Sequence, residues 1–384
     1  MSSPERPIYL DYNATTPVAP EVLEAMLPYL REEFGNPSST HPYGRRARQA
    51  VERAREQVAA LLGARPEEIY FTGSGTEANN LAIRGVAEAR PERRHVLTST
   101  LEHPATALPC RHLERLGWAV TRVKADQDGR VQVEEAAAAL REDTLLMTVM
   151  HANNETGVLQ PVRELAALAR GRGVLVHTDA AQSVGKVPVE VEALGVDLLT
   201  LVGHKLYAPK GVGALYVRKG TPLKPFTLGG GQEHGLRPGT ENVPYMVGLG
   251  AACELARGRL EQGMVALTEL RERLWWRLQA EVPGMRLNGH PTERLPNTLN
   301  VRFPSVKGSA VLAGAPEVAA STGSACHEGA ETASAVLLAM GLGPEEALGA
   351  VRLTLGHGTT AEDVDVAATA LARAWRAAAG PAAS

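Results

Sequence analysis

The sequence predicts an α/β fold, with a large lobe built on a mostly parallel seven-stranded sheet and a smaller α+β lobe beside it. Three observations carry this. From residue 69 to 217, short apolar runs alternate with stretches of helical period, as strands linked by crossover helices do. Five polar clusters, at 72–80, 103, 153–155, 177–182 and 204–205, each end one of those runs. A helical stretch over about 243–281 is followed, after Pro283, by a different mixture of strand and helix signals.

The 384 residues are too many for one small domain and suit two lobes, and a hydrophobic fraction of 44% is ample for a large core. The net charge of -3, with no long block of either sign, argues against nucleic acid or an anionic membrane as the main partner. No apolar run approaches the length of a bilayer span. The first residues, Met1-Ser-Ser-Pro-Glu-Arg-Pro7, carry no basic-then-apolar signal, so a cytoplasmic protein is expected. The three cysteines, Cys110, Cys253 and Cys326, lie far apart and out of metal-ligand spacing. That predicts neither a metal site nor a disulfide framework, as in a reducing compartment.

Residues 7–20 read as extended and proline-bounded. Helices follow at about 20–33 and 42–63, separated by the turn-forming stretch 35–44; Ala47, Val51, Ala54 and Val58 give the second its apolar face. Strands are expected at 69–72, 95–99, 120–124, 145–150 and 174–177, with helices at 76–89, 104–117, 133–141 and 161–171 between them. Residues 199–217 read as two buried strands joined by a turn that carries His204 and Lys205. Beyond the long helix, strands near 285–288, 298–303 and 351–355 mix with helices near 333–341 and 361–378. The expected division is a large domain over 16–261 and a small one made of 1–15 and 262–384. Sheets of this kind bind ligands beyond the carboxyl ends of their strands, so the five polar clusters mark one candidate active site.

Lys205 is costly to bury as an ammonium unless paired or neutralised, which makes it a candidate for Schiff-base chemistry with a carbonyl cofactor. The alternative is a lysine snorkelling from a strand end. Asp179 ends a buried strand and could pair with a protonated pyridine nitrogen, or simply cap the next turn. Ser74-Gly75-Thr76 joins a strand to a helix start, where free N–H groups favour phosphate; the alternative is an ordinary N-cap. His103 could stack on a ring and move protons near pH 7. Asn154 also follows a buried strand. The run 229–242 holds too many glycines for core and suggests a loop touching a ligand or another subunit, or a long solvated connection. Cys326 lies among small residues (Ser321, Gly323, Ser324, Ala325, Gly329, Ala330) that leave a thiol accessible and its loop mobile, with His327 placed to assist thiolate formation. Cys110 and Cys253 lie in helical apolar patterns and read as core. Arg352 could clamp a carboxylate or form a surface salt bridge.

Nine motifs, in order, tie these pieces together: Tyr9-Leu-Asp-Tyr-Asn-Ala-Thr-Thr-Pro17, Gly35-Asn-Pro-Ser-Ser39, Thr76-Glu77, Glu102-His-Pro104, Asn153-Asn-Glu-Thr-Gly157, Asp179-Ala-Ala-Gln-Ser183, Gly203-His-Lys205, Arg237-Pro-Gly-Thr-Glu-Asn242 and Gly323-Ser-Ala-Cys326. They span nearly the whole chain. The sequence resembles the fold-type I pyridoxal-phosphate enzymes of aminotransferase class V, and within them the cysteine desulfurases of nitrogen fixation and iron–sulfur assembly. The resemblance implies roles. Lys205 would hold the pyridoxal 5'-phosphate and move the substrate Cα proton, Asp179 would pair with the pyridine nitrogen, His103 would stack on the ring and shuttle protons, and Gln182 would bond the ring hydroxyl. Thr76, the backbone of Gly75, and His204 would hold the phosphate, joined by Thr240 from the second subunit of a homodimer. Asn154 and Arg352, with Asn13, would fix the carboxylate of L-cysteine. Cys326 would take the substrate sulfur as a persulfide, releasing alanine, and pass it to an acceptor or scaffold protein for iron–sulfur clusters, thiolated tRNA or a cofactor.

The chain departs from the family pattern at three places. Val202 stands where a serine is usual, removing one phosphate hydrogen bond. His357 stands where arginine is common. The segment after Cys326 lacks the proline usually found before its serine. Cys326-His327 also occurs in selenocysteine lyases, so selenocysteine is the competing substrate. An aminotransferase has no use for Cys326 in a loop of small residues. A scaffold for sulfur-transfer proteins without cofactor would not need both Lys205 and Asp179.

Overall fold

The computed structural model describes residues 6–323, 326–327 and 330–380. A seven-stranded sheet dominates it, in the spatial order Ile69–Thr72, Gly213–Val217, Leu198–Val202, Leu175–Asp179, Thr144–Thr148, His95–Ser99, Ala119–Val123. Only Gly213–Val217 runs against its neighbours; the other pairs are parallel. The central strands Thr144–Thr148 and Leu198–Val202 are buried at every position. Both faces of such strands must be covered, which is why they read as unbroken apolar runs and not as alternation. One face packs Val51, Val58, Leu165 and Leu249 from three helices. The other packs Leu81, Val86 and Leu113 from the helices Gly75–Ala89 and Pro104–Arg115.

A separate core lies around an antiparallel sheet ordered Ala350–Thr354, Thr298–Arg302, Arg286–Leu287. The C-terminal helix Ala361–Ala379 covers it with Val364, Leu371 and Trp375. The 39-residue helix Val243–Glu281 serves both cores. Its Val243, Met246, Leu249 and Cys253 pack under the large sheet, while Leu267, Leu274 and Leu278 pack with the second core. Cys110 and Cys253 are buried, and burial pushes both thiols up, Cys110 to about 12.

The N-terminal segment stitches the two parts together. Ile8–Tyr9 pairs in parallel with Val318–Ala319, and the Asn13 N–H donates to Thr354 Oγ1 at 3.0 Å. Three residues on, the Thr16 N–H donates to the carbonyl of His204 at 2.8 Å. The chain therefore passes from one sheet to the Lys205 turn within a few residues. The helix expected at 333–341 forms as Ala335–Ala339, and a further short helix, Pro344–Leu348, follows it where none was expected. Ser334 caps the first, and Gly341 at φ 91° lets the chain leave it.

Candidate active site

The carboxyl ends of the parallel strands open on a cavity of about 110 Å³. Gly75, Thr76, His103, Asn154, Asp179, Gln182, His204 and Lys205 all line it. All five polar clusters read from the sequence thus contribute to one site. The physical cause is the parallel sheet, which brings every loop leaving the carboxyl end of a parallel strand to the same edge.

Asp179 is the last residue of its strand. Its carboxylate accepts from Asn79 Nδ2 at 2.7 Å and from the Ala181 N–H at 3.0 Å, which aims it into the cavity. Lys205 ends the tight turn Gly203–Lys205. Burial lowers its pKa to about 8; Asp179 works against that shift and Arg352 adds to it. His103 caps the helix Pro104–Arg115, and the Ala105 N–H donates to its Nδ1 at 3.1 Å. That bond puts the proton of the neutral ring on Nε2. The ring is open to solvent across the cavity, yet the protein behind it lowers its pKa and Lys205 lowers it further, with Asp179 opposing.

Ser74 accepts from the Glu77 N–H at 3.1 Å and starts the helix Gly75–Ala89. The N–H groups of Gly75 and Thr76, in its first turn, have no intrahelical acceptor. Burial and the nearby Lys205, Lys210 and Lys186 push His204 down to about 4, so its imidazole is neutral at pH 7. Val202 lines the same cavity with an apolar wall.

Arg352, from the second sheet, and Asn13, from the N-terminal segment, meet at the carbonyl of Asn154, which lines the cavity; they do not line it themselves. Arg352 Nη2 pairs with Asp11 at 2.8 Å, Nη1 donates to the Asn154 carbonyl at 3.0 Å, and Nε is buried without a partner. Asn13 Nδ2 donates to the same carbonyl at 3.3 Å and to Thr298 Oγ1 at 2.9 Å. Arg352 is therefore a buried group at the site, where a surface salt bridge had been the alternative.

The thiol segment has both feet on this machinery. Before it, Ser321 pairs its backbone with Arg352. After it, the Ser334 hydroxyl donates to the Glu155 carboxylate, next to Asn154. Between them Cys326–His327 forms a two-residue strand against Ala330–Glu331, with Cys326 opposite Glu331. Ser324, Ala325 and Gly329 lie outside the described residues, as do the side chains of Cys326, His327 and Ala330 and the mobility expected of the loop.

Thr240 does not line this cavity; it lies exposed in the glycine-rich segment. That segment is anchored more firmly than its composition suggests. Glu233 inserts beneath the sheet edge and accepts from Arg55 at 2.7 and 2.9 Å and from the Phe71 N–H at 2.7 Å. The two side chains are only 4% and 2% exposed. Arg237 adds a bond to Glu77 at 2.8 Å. Removing one partner leaves a buried charge unpaired, so Glu233→Ala should lower stability by about 3–5 kcal/mol. Denaturant unfolding checks this, and an unchanged midpoint would refute it.

Sequence reading missed three buried groups. Lys186 lies behind Gln182, Asn79 supports Asp179, and the Glu102 carboxylate is held by Ser99 and the Met150 N–H. Burial raises Glu102 to about 8 despite those two bonds. Next to the site is a larger cavity of about 580 Å³, walled by Pro17, Val18, Leu206, Leu255 and Ala256. Lys205 borders both, but Asp179, His103, His204 and the start of the helix Gly75–Ala89 line only the smaller.

The family model for class-V aminotransferases matches residues 8–366. The chain belongs to the class-V aminotransferase family. It is 46% identical over 372 residues to a cysteine desulfurase IscS of Dictyoglomus turgidum, covering 96% of this chain and 94% of that protein. Among solved structures, a NifS-like protein superposes with a TM-score of 0.90 at 39% identity, covering 96% of this chain and 98% of that one. SspA in complex with cysteine gives 0.81 at 38% identity, covering 90% and 98%. The class-V family is one of fold-type I enzymes that use pyridoxal phosphate, and the residues here fit that group. A held carboxylate faces the cavity for a pyridine nitrogen, a helix start offers free N–H groups for a phosphate, and an amine of lowered pKa is at hand for a carbonyl. The neutral amine is the nucleophile, and it is depleted below its pKa. Covalent loading of cofactor-free protein should therefore speed up as pH rises and level off above about 8, well below the ordinary lysine value of 10.5. Stopped-flow absorbance measures this; a midpoint near 10.5 would contradict it.

Proposed function

We infer that the protein is a pyridoxal-phosphate-dependent cysteine desulfurase, converting L-cysteine to L-alanine and leaving the sulfur as a persulfide on Cys326. The observation that carries this is the thiol segment bounded by bonds to Arg352 and Glu155, both of which adjoin Asn154 in the lining of the cavity that holds Lys205, Asp179 and His103. When bound, the cofactor supplies an electron sink for the substrate Cα. Lys205 would hold the cofactor through its carbonyl and would move the substrate Cα proton. Asp179 keeps the pyridine nitrogen protonated. His103 stacks on the ring and carries protons on Nε2. Gln182 donates to the ring oxygen. The N–H groups of Gly75 and Thr76, the Thr76 hydroxyl and neutral His204 take the phosphate. Arg352, with Asn154 and Asn13, receives the substrate carboxylate. Cys326 attacks the substrate sulfur: a sulfur–sulfur bond forms, the carbon–sulfur bond breaks, and its electron pair stays with the three-carbon fragment.

The small domain, 1–15 with 262–384, carries the thiol segment in this reading. The exchange of partners between Asn13 and Thr16 supports a boundary there. A homodimer completes the phosphate site, with the partner subunit's Thr240 presented by the anchored glycine-rich segment. Thr240→Ala should then weaken cofactor binding about tenfold, the scale of one charge-assisted hydrogen bond. A fully active monomer in sedimentation would count against the shared site. The sulfur leaves to an acceptor or scaffold protein. No helix among the described residues is long and apolar enough to cross a membrane; we place the protein in the cytoplasm. The direct test of function is alanine release from L-cysteine by the loaded enzyme.

A further inference from the structure

Lys186 is a buried lysine that none of the steps above uses. Gly185, at φ 75°, turns the chain so that Lys186 comes back beneath Gln182. Its Nζ lies 3.1 Å from Gln182 Oε1 and 3.4 Å from Asn13 Oδ1. Both acceptors are neutral amides, and both belong to residues at the site.

An ammonium group can only donate. In the structure each amide turns its oxygen toward Lys186 and its NH₂ away from it, as the ammonium form requires. For Asn13 the orientation is shared with Asn297, whose Nδ2 donates to the same Oδ1 at 3.1 Å, while Asn13 Nδ2 donates to the Asn154 carbonyl and to Thr298. For Gln182, one hydrogen of Nε2 goes to the Asn13 carbonyl at 2.9 Å. The other has no acceptor among the described residues, and Gln182 lines the cavity. With the amide reversed, Oε1 would face the Asn13 carbonyl oxygen, acceptor against acceptor. The cavity would then be offered a lone pair in place of a donor.

We propose that Lys186 is a positioning residue, which locks the amide of Gln182 so that a Gln182 N–H faces the cofactor's ring oxygen. The proposal rests on the reading of the cavity as a pyridoxal-phosphate site. A donor to the ring oxygen stabilises its anionic form and weakens its hold on the neighbouring iminium proton. Loss of that donor makes the proton harder to remove.

The test is the pH midpoint of the visible band of the loaded protein, a spectroscopic quantity that needs no turnover. Lys186→Met and Gln182→Leu should each raise the midpoint, by about one pH unit for a lost hydrogen bond to a charged form. The double variant should shift it no further than Gln182→Leu alone. Non-additivity separates positioning from simple charge, since a buried cation acting only through its field would add its shift to that of Gln182→Leu. If Lys186→Met does not fold, Lys186→Gln carries the same comparison, because a neutral amide presents oxygen or nitrogen equally and does not lock Gln182. Additive shifts, or an unmoved midpoint in the Lys186 variant of a protein that does carry the band, overturn the role of Lys186 alone. A parent protein that binds pyridoxal phosphate without any visible band overturns the cofactor reading and this proposal together.

Discussion

Lys205→Ala should bind pyridoxal phosphate and turn over no substrate. Its binding side is separable from its chemistry, because the phosphate and ring contacts assigned to Gly75, Thr76, His204, Asp179 and Gln182 do not pass through Lys205. What the variant loses is the only amine of lowered pKa that lines this cavity among the described residues. Lys186, lowered to about 7 by burial and by Lys205 and Arg352, lies behind Gln182 and does not line it. General acid–base catalysis alone contributes about 10²–10⁴-fold, and the covalent hold on the cofactor is lost as well. Alanine formation should fall by at least that range, with cofactor retained on gel filtration. Normal alanine formation would remove Lys205 from the mechanism.

Cys326→Ala should separate the two competing substrates. Carbon–sulfur cleavage in this scheme needs a thiolate to take the sulfur, since an unassisted sulfur is a poor group to expel from the substrate. The carbon–selenium bond is weaker, so selenocysteine depends less on the enzyme thiol. The variant should lose desulfuration of cysteine by orders of magnitude and keep some cleavage of selenocysteine. Assays of alanine release with each amino acid measure the asymmetry. Equal losses would mean that both substrates need the thiol. Cysteine turnover at the parent rate would mean that the thiol is not the nucleophile.

Much of this site was legible because its residues sit where local signals are strongest. Asp179, His103, Asn154 and Lys205 each follow an apolar run, and a parallel sheet gathers such positions at one edge whatever their distance in sequence. The long helix was legible over its full extent because 39 residues give many periods of apolar pattern and Pro283 marks its end. The misses share a different cause. Glu233 stands in a glycine-rich run that reads as solvated, and its partner Arg55 is 178 residues away. Lys186 lies on a short turn after Ser183-Val-Gly, where nothing local distinguishes a buried lysine from an exposed one. Ile8–Tyr9 and Val318–Ala319 are two-residue strands, too short to show a period of two. The helix Pro344–Leu348 has only five residues, too few to show a helical period.

The central claim is that sulfur leaves L-cysteine for Cys326. It is tested most directly by mixing the loaded enzyme with one equivalent of L-cysteine, stopping with a thiol-blocking alkylator, and weighing the peptide that contains Cys326. The account predicts that this peptide gains one sulfur atom in step with alanine release, and that the peptides containing Cys110 and Cys253 gain none. Alanine released with free sulfide and no added sulfur on the Cys326 peptide would contradict it.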